Sequence, residues 1–169
     1  MVHNGCRPGH LPGVIAGALW LAVAATALPA APTGGPAKSE DGQWSMPSKD
    51  YSATRYSTLS QITRSNARGL HPVWTFSTGV LGGHEGQPLV VNNTMYVVTP
   101  WPNVLYAFDL GKEGYPLRWK YRPAVSPNAL GVACCDSINR GAFYSDGRIF
   151  YNLLDGHTVA VDARTGREL

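Results

Sequence analysis

A recurring unit constrains the fold of this chain more than any other feature of its sequence. Trp74-Thr75-Phe76 and Trp119-Lys120-Tyr121 each place a tryptophan two residues before a second aromatic, and the two copies stand 45 positions apart. Between and beyond them, Thr94-Met95-Tyr96-Val97-Val98 parallels Arg148-Ile149-Phe150-Tyr151. Val104-Leu105-Tyr106-Ala107-Phe108-Asp109 likewise parallels Thr158-Val159-Ala160-Val161-Asp162. A period of roughly 40–45 residues with four strands per unit is the sequence mark of a β-propeller. The expected fold is therefore all-β, with antiparallel strands within 89–98, 104–110, 117–121, 142–151 and 158–161.

The second copy runs on as Ala160-Val161-Asp162-Ala163-Arg164-Thr165-Gly166. An apolar strand leads into a tight turn, where Asp162 can accept from turn amides and Gly166 can supply a positive φ. Trp74 and Trp119 read as blade-packing residues. Asp109, Asp155 and Asp162 read as turn residues, and Asn92-Asn93-Thr94 as hairpin chemistry rather than a glycosylation site. Ser57 to Leu70 is the one stretch with a helical signal, with Asn66 and Gly69 as its stops.

The chain has 169 residues, 44% hydrophobic and 15% charged, with 19 glycines and 13 prolines. These values exclude fibrous and disordered classes for most of its length. Fourteen basic against eleven acidic residues leave +3, with no basic run, so no nucleic-acid partner is expected. Residues 1–13 carry Arg7 and no acid, and they lead into an apolar run, 14–28, that is too short to span a bilayer comfortably. With Ala25-Thr26-Ala27 as small residues at a cleavage site, 1–27 reads as a secretory signal peptide. Cys6 lies before the apolar core, unlike a lipoprotein cysteine. Residues 28–43, rich in Pro, Gly, Ala and Ser, read as a flexible mature amino terminus, and 44–169 as a partial propeller domain. A propeller closes with about four to eight blades, and this length accommodates about two. The chain is accordingly expected to be a fragment of a longer protein.

Two loops depart from the repeat, and such departures carry function disproportionately. In Gly82-Gly83-His84-Glu85-Gly86-Gln87-Pro88, a carboxylate between glycines can approach a flat ligand closely, although a solvated loop glutamate fits the spacing as well. His84 beside Glu85 does not make a metal pair, since adjacent side chains rarely converge; His71 and His157 read as surface or turn histidines. The second loop, 132–141, holds the adjacent Cys134 and Cys135. Their Cα atoms are about 3.8 Å apart across a trans peptide, whereas disulfides prefer about 4.4–6.8 Å. They are the two cysteines left after removal of a leader, in an oxidising compartment. Two free thiols and a strained eight-membered ring both remain open on these grounds.

The segments GGHEGQPLVV, VACCDSINRG, WSMPSKDYSATRYSTLSQI and AVDARTG together resemble the amino-terminal quarter of pyrroloquinoline quinone (PQQ)-dependent methanol and ethanol dehydrogenases. The resemblance runs nearly continuously over 44–169, and CCDSINR is its most specific part. The stretch around Trp101-Pro102-Asn103 and the short loop before Cys134 look closer to the lanthanide-dependent methanol branch than to the calcium branch. The resemblance implies an eight-bladed propeller with PQQ lying flat on its axis, in a periplasmic enzyme that oxidises a primary alcohol and passes electrons to a cytochrome c. It implies that Glu85 hydrogen-bonds the cofactor rim and that Cys134 and Cys135 form a vicinal disulfide stacked on the ring. It also implies that Arg140 faces the quinone oxygens, where a fixed positive charge suits developing negative charge. The cation, calcium or a lanthanide, and the aspartate that takes the alcohol proton would lie in later blades. No residue of this chain is nominated as catalytic or as a metal ligand. A second copy is a further partner in this reading.

Two other classes compete. A non-catalytic periplasmic propeller scaffold would share the turn repeats but has no need of CCDSINR. A quinoprotein of another substrate class would differ in pocket residues that this chain does not contain.

Overall fold

The computed structural model describes residues 42–134 and 136–169. The expected leader over 1–27, most of the segment 28–43, and Cys135 lie outside the described residues.

Two antiparallel sheets carry the fold. The first is a four-stranded meander of β1 (Leu89–Val91), β2 (Thr94–Val98), β3 (Leu105–Asp109) and β4 (Leu117–Tyr121), in that order. The second is a three-stranded meander of β5 (Phe143–Ser145), β6 (Arg148–Asn152) and β7 (Thr158–Asp162). All five expected segments thus contain antiparallel strands. The β1–β2 hairpin pairs Val91 with Thr94 across two residues. Those residues, Asn92 and Asn93, have φ of 48° and 55°, the doubly left-handed turn that matches strand twist. Asp146 and Gly147 make the same reversal between β5 and β6.

Burial alternates along β2 and β6, whereas β3 is buried on both faces. The reason is its position between two cores. Leu105 and Ala107 join Leu89, Tyr96 and Val98 against Ile149, Tyr151, Val159 and Val161 of the second sheet. On the other face, Tyr106 and Phe108 meet Trp74 and Phe76. Trp74 lies edge-on to Phe108 with centroids 5.0 Å apart. Its segment does not form a strand, but its packing role is as expected.

Polar staples join the sheets. Asn103, fully buried, accepts from the Leu154 amide through Oδ1 (2.9 Å) and from the Tyr151 hydroxyl through its carbonyl (2.9 Å). The Ala163 carbonyl accepts from both the Tyr96 hydroxyl (3.1 Å) and the Trp119 indole (3.2 Å). Asp162 caps its turn, accepting from the Thr165 amide at 2.7 Å and the Arg164 amide at 3.1 Å. The Thr165 hydroxyl, which also donates to Asp162 at 2.7 Å, does most to hold its carboxyl below the usual range, and the two amides add to it. Upstream, Trp44 pairs with Val90 through both backbone groups, and the Ser45 carbonyl accepts from the Tyr144 amide. This one segment therefore touches both sheets.

The expected helix over 57–70 is corrected to a single 3-10 turn, Ala67–Gly69. Asn66 is its N-cap rather than a stop, and Gly69 lies inside it. Local side chains satisfy the backbone instead: Asn66 Oδ1 accepts from the Thr63 amide (2.7 Å) and Nδ2 donates to the Gln61 carbonyl (2.8 Å). Such bonds compete with helix. Leu59, Ile62 and Leu70 are exposed, so no apolar stripe is buried to offset the competition.

Gly166 and Gly147 have nearly the same φ, +74° and +75°, but differ in surroundings. A Cβ on Gly166 would lie 2.7 Å from the Trp119 ring, whereas one on Gly147 would meet open space. Gly147→Ala should cost about 1–2 kcal/mol from the backbone alone. Gly166→Ala should cost about 1–3 kcal/mol more through overpacking. Urea unfolding of both variants checks this, and equal costs would show that the Trp119 contact yields freely.

Candidate functional site

The two divergent loops meet because the inner edges of the sheets touch backbone to backbone. Gln87, just ahead of β1, and Gly141, just ahead of β5, form an isolated parallel bridge. A Cβ on Gly141 would sit 3.1 Å from the Gln87 carbonyl oxygen, and one on Gly86 would sit 3.1 Å from the Asn139 carbonyl oxygen. A Cβ at either position would force the facing backbone to give by a few tenths of an ångström, so glycine allows the close approach.

Two residues upstream of Gln87 stands Glu85, and one upstream of Gly141 stands Arg140. The bridge brings the pair together across 55 positions, with Arg140 Nη1 donating to Glu85 Oε2 at 2.7 Å. The side chains are 76% and 48% exposed, so the ion pair itself stabilises by only about 0–1 kcal/mol. Position comes from the backbone contact and not from the charges. Both line an open pocket of about 810 Å³, together with Arg55, Asn139, Phe150 and Asn152.

Of the expected site residues, the structure thus unites Glu85 and Arg140. Cys134 is exposed on the same loop as Arg140 but is not among the residues that line the pocket. That loop is tied down along its length. The Ser137 carbonyl accepts from the Trp101 amide at 2.8 Å. Asp136 Oδ1 accepts from the Ser137 amide at 2.6 Å. Ser126 caps the 3-10 turn Pro127–Gly131 that leads into it.

The histidines serve local structure. His84 Nδ1 donates to the Gly82 carbonyl at 3.1 Å, and its Nε2 hydrogen-bonds the Thr78 hydroxyl, also at 3.1 Å. His71 and His157 are exposed and bonded within their own turns. Asp109 accepts from the Gly111 amide and pairs with Arg118 at 3.0 Å, which holds its carboxyl below the ordinary range. The expected turn residue is thus the last residue of β3, with its carboxylate turned to the amide of the turn that follows.

Two contributors were not singled out from the sequence, and a third, Asp155, was read only as a turn residue. Arg55 reaches the pocket from a segment without regular structure, and no local signal marks it. Asn139, buried beside Arg140, was legible only as a polar residue ahead of Arg-Gly. Asp155 anchors the far end of the cysteine loop by accepting from the Ser126 amide at 3.0 Å.

Comparisons with known proteins place the chain in a family. Residues 44–169 match the family model described as "PQQ: Glucose/ethanol/alcohol dehydrogenase, beta-propeller domain". The chain belongs to this PQQ dehydrogenase family. Its two sheets are accordingly neighbouring blades of a β-propeller. Among relatives, a lanthanide-dependent methanol dehydrogenase of Methylacidiphilum fumariolicum is 51% identical over 132 residues, 78% of this chain and 22% of the relative. Subunit 1 of a methanol dehydrogenase [cytochrome c] of Paracoccus denitrificans is 47% identical over 133 residues, 75% of this chain and 21% of the relative. A solved structure of a europium-containing methanol dehydrogenase superposes with a TM-score of 0.73 at 51% identity, covering 75% of this chain and 22% of that one. The chain thus spans about a fifth of the length of the PQQ dehydrogenase family members it matches.

The Asp155–Ser126 anchor has a defined acid response. Its carboxyl is held down to about 2, first by the Ser126 amide and next by His157. A carboxyl whose pKa is lower folded than unfolded (about 4) stabilises fully above about pH 4, and that contribution is lost as pH falls toward 2. Asp155→Asn should therefore flatten the acid limb of a stability-against-pH curve in that window. Urea midpoints measured at a series of pH values check it; an unchanged slope would show that other carboxylates set the limb.

Proposed function

We propose that this chain supplies part of the cofactor-facing wall of a periplasmic PQQ-dependent alcohol dehydrogenase that oxidises a primary alcohol, methanol or ethanol, to the aldehyde. Electrons would pass to a cytochrome c, a leader over 1–27 would direct export, and a second copy would be a further partner. The carrying observation is the meeting of Glu85 and Arg140 over one pocket, in a chain 51% identical to a lanthanide-dependent methanol dehydrogenase. That identity also supports a lanthanide, with calcium as the alternative cation.

The residues present fit a flat, anionic, oxygen-rich group. The pocket wall sets the aromatic ring of Phe150 beside the polar side chains of Arg140, Asn139, Asn152 and Arg55. Arg140 offers a planar donor array with permanent charge, and its exposed guanidinium can turn from Glu85 to a ligand at small cost. Glu85 would hold a polar group at the rim. Cys134 and Cys135 would form a vicinal disulfide against one face. When bound, PQQ supplies the two-electron oxidation of the alcohol, accepting a hydride from its carbon. The part played by this chain is orientation and electrostatics: Arg140 is placed to stabilise negative charge on the quinone oxygens, and Glu85 to accept from a polar group at the cofactor rim.

The test is alcohol oxidation by the enzyme that carries residues 44–169, assayed with PQQ, a lanthanide or calcium salt, and an artificial electron acceptor. Arg140→Ala should lower kcat by about 10²-fold, the usual loss for one charge-stabilising donor. An enzyme that oxidises no alcohol once loaded with PQQ and cation would overturn the reading. The disulfide has its own test in intact-mass spectrometry after alkylation under denaturing, non-reducing conditions. Cys134 and Cys135 should take up no label before reduction and two after it, and full labelling without reductant would remove the bond.

A further inference from the structure

The contact between Arg140 and Glu85 is solvent-exposed and too weak to direct the guanidinium unaided. What precedes Arg140 in the chain is built differently. Asn139 is 8% exposed, and its side-chain amide makes bonds on both sides of its successor. Nδ2 donates to the Asn152 carbonyl, at the end of β6, at 2.8 Å. Oδ1 accepts from the Gly141 amide at 2.9 Å. Gly141 is itself docked on the Gln87 backbone, and the carbonyl of Asn139 packs so closely on Gly86 that a Cβ there would sit 3.1 Å from it. Arg140 is therefore suspended between two fixed residues, one tied to each blade.

A buried amide with both its donor and its acceptor engaged holds its geometry far better than an exposed ion pair does. We infer that Asn139 is a positioning residue: its side chain sets the direction in which Arg140 leaves the backbone, toward Glu85 and over the pocket, and it affects quinone binding only through Arg140. The inference rests on the reading of Arg140 as the quinone-facing cation. Its geometric half stands apart from that reading.

The geometric half is tested by NMR on the protein carrying this chain. In the wild type the Arg140 guanidinium should give a resonance distinct from those of freely exposed arginines. In Asn139→Ala it should collapse into them, with exchange of the Gly141 amide rising about tenfold relative to amides of β2. Asn139→Asp, which keeps the acceptor for Gly141 and loses the donor to Asn152, should fall between the two and serves if the alanine variant does not fold. An unchanged Arg140 resonance in either variant overturns the inference.

The functional half uses PQQ itself as probe, titrated by fluorescence quenching. Asn139→Ala should weaken its binding about tenfold, within the range of coupling between neighbouring residues. In the Arg140→Met background the same change should add nothing. Additive losses would mean that Asn139 acts by another route, and an unchanged Kd in the folded variant would leave it a purely structural residue; each result overturns the inference. If the wild type binds no PQQ, the proposed function fails while the Arg140 resonance still decides the positioning claim.

Discussion

The arrangement depends on one close approach, that of the chain ahead of β1 to the chain ahead of β5. Gly86 and Gly141 each lack the Cβ that would keep these backbones apart, and the Gln87–Gly141 bridge follows. Everything at the site inherits its position from there. Glu85 and Arg140 project from residues next to the bridge, and Asn139 links the same point to the end of β6. Replacing either glycine would push the blades apart by a few tenths of an ångström at the place where the two functional side chains converge.

Away from that edge, the blades are joined by apolar packing with a few polar staples inside it. Leu89, Leu105, Ile149 and Val161 are fully buried between the sheets and supply the area term that drives association. Such packing is not directional. Asn103 and the Ala163 carbonyl add direction, since each takes two bonds from the opposite sheet or its outer strand. Leaving one of these buried groups unpaired would cost more than the bond contributes, so a shifted register of one blade on the next is strongly disfavoured. Trp119 on Gly166 repeats the logic at the outer edge, where an aromatic face requires a residue with no side chain.

Local chemistry was legible from sequence wherever a residue acts on its immediate neighbours. Asn92-Asn93 turns a hairpin because both positions tolerate positive φ. Asp162 and Gly166 make their turn through bonds spanning two to four residues. Trp74 and Trp119 pack as the repeat implied. The misreading over 57–70 has the same root: its helical pattern was also local, but Asn66 and Thr63 settle the backbone by themselves and no core receives Leu59 or Ile62.

The sequence alone determined the all-β character, the strand positions, the turn types and the identity of two unusual loops, because each depends on period, propensity or a neighbouring side chain. Tertiary structure alone decided which side chains meet. That Arg140 pairs with Glu85, that Asn139 is buried beside them, that Arg55 reaches the same pocket and that Asp155 caps the Ser126 amide all depend on how one sheet is set against the next. Contacts across 29 to 55 positions leave no trace in spacing or pattern, since the chain between them can vary while the register of the blades holds its ends together.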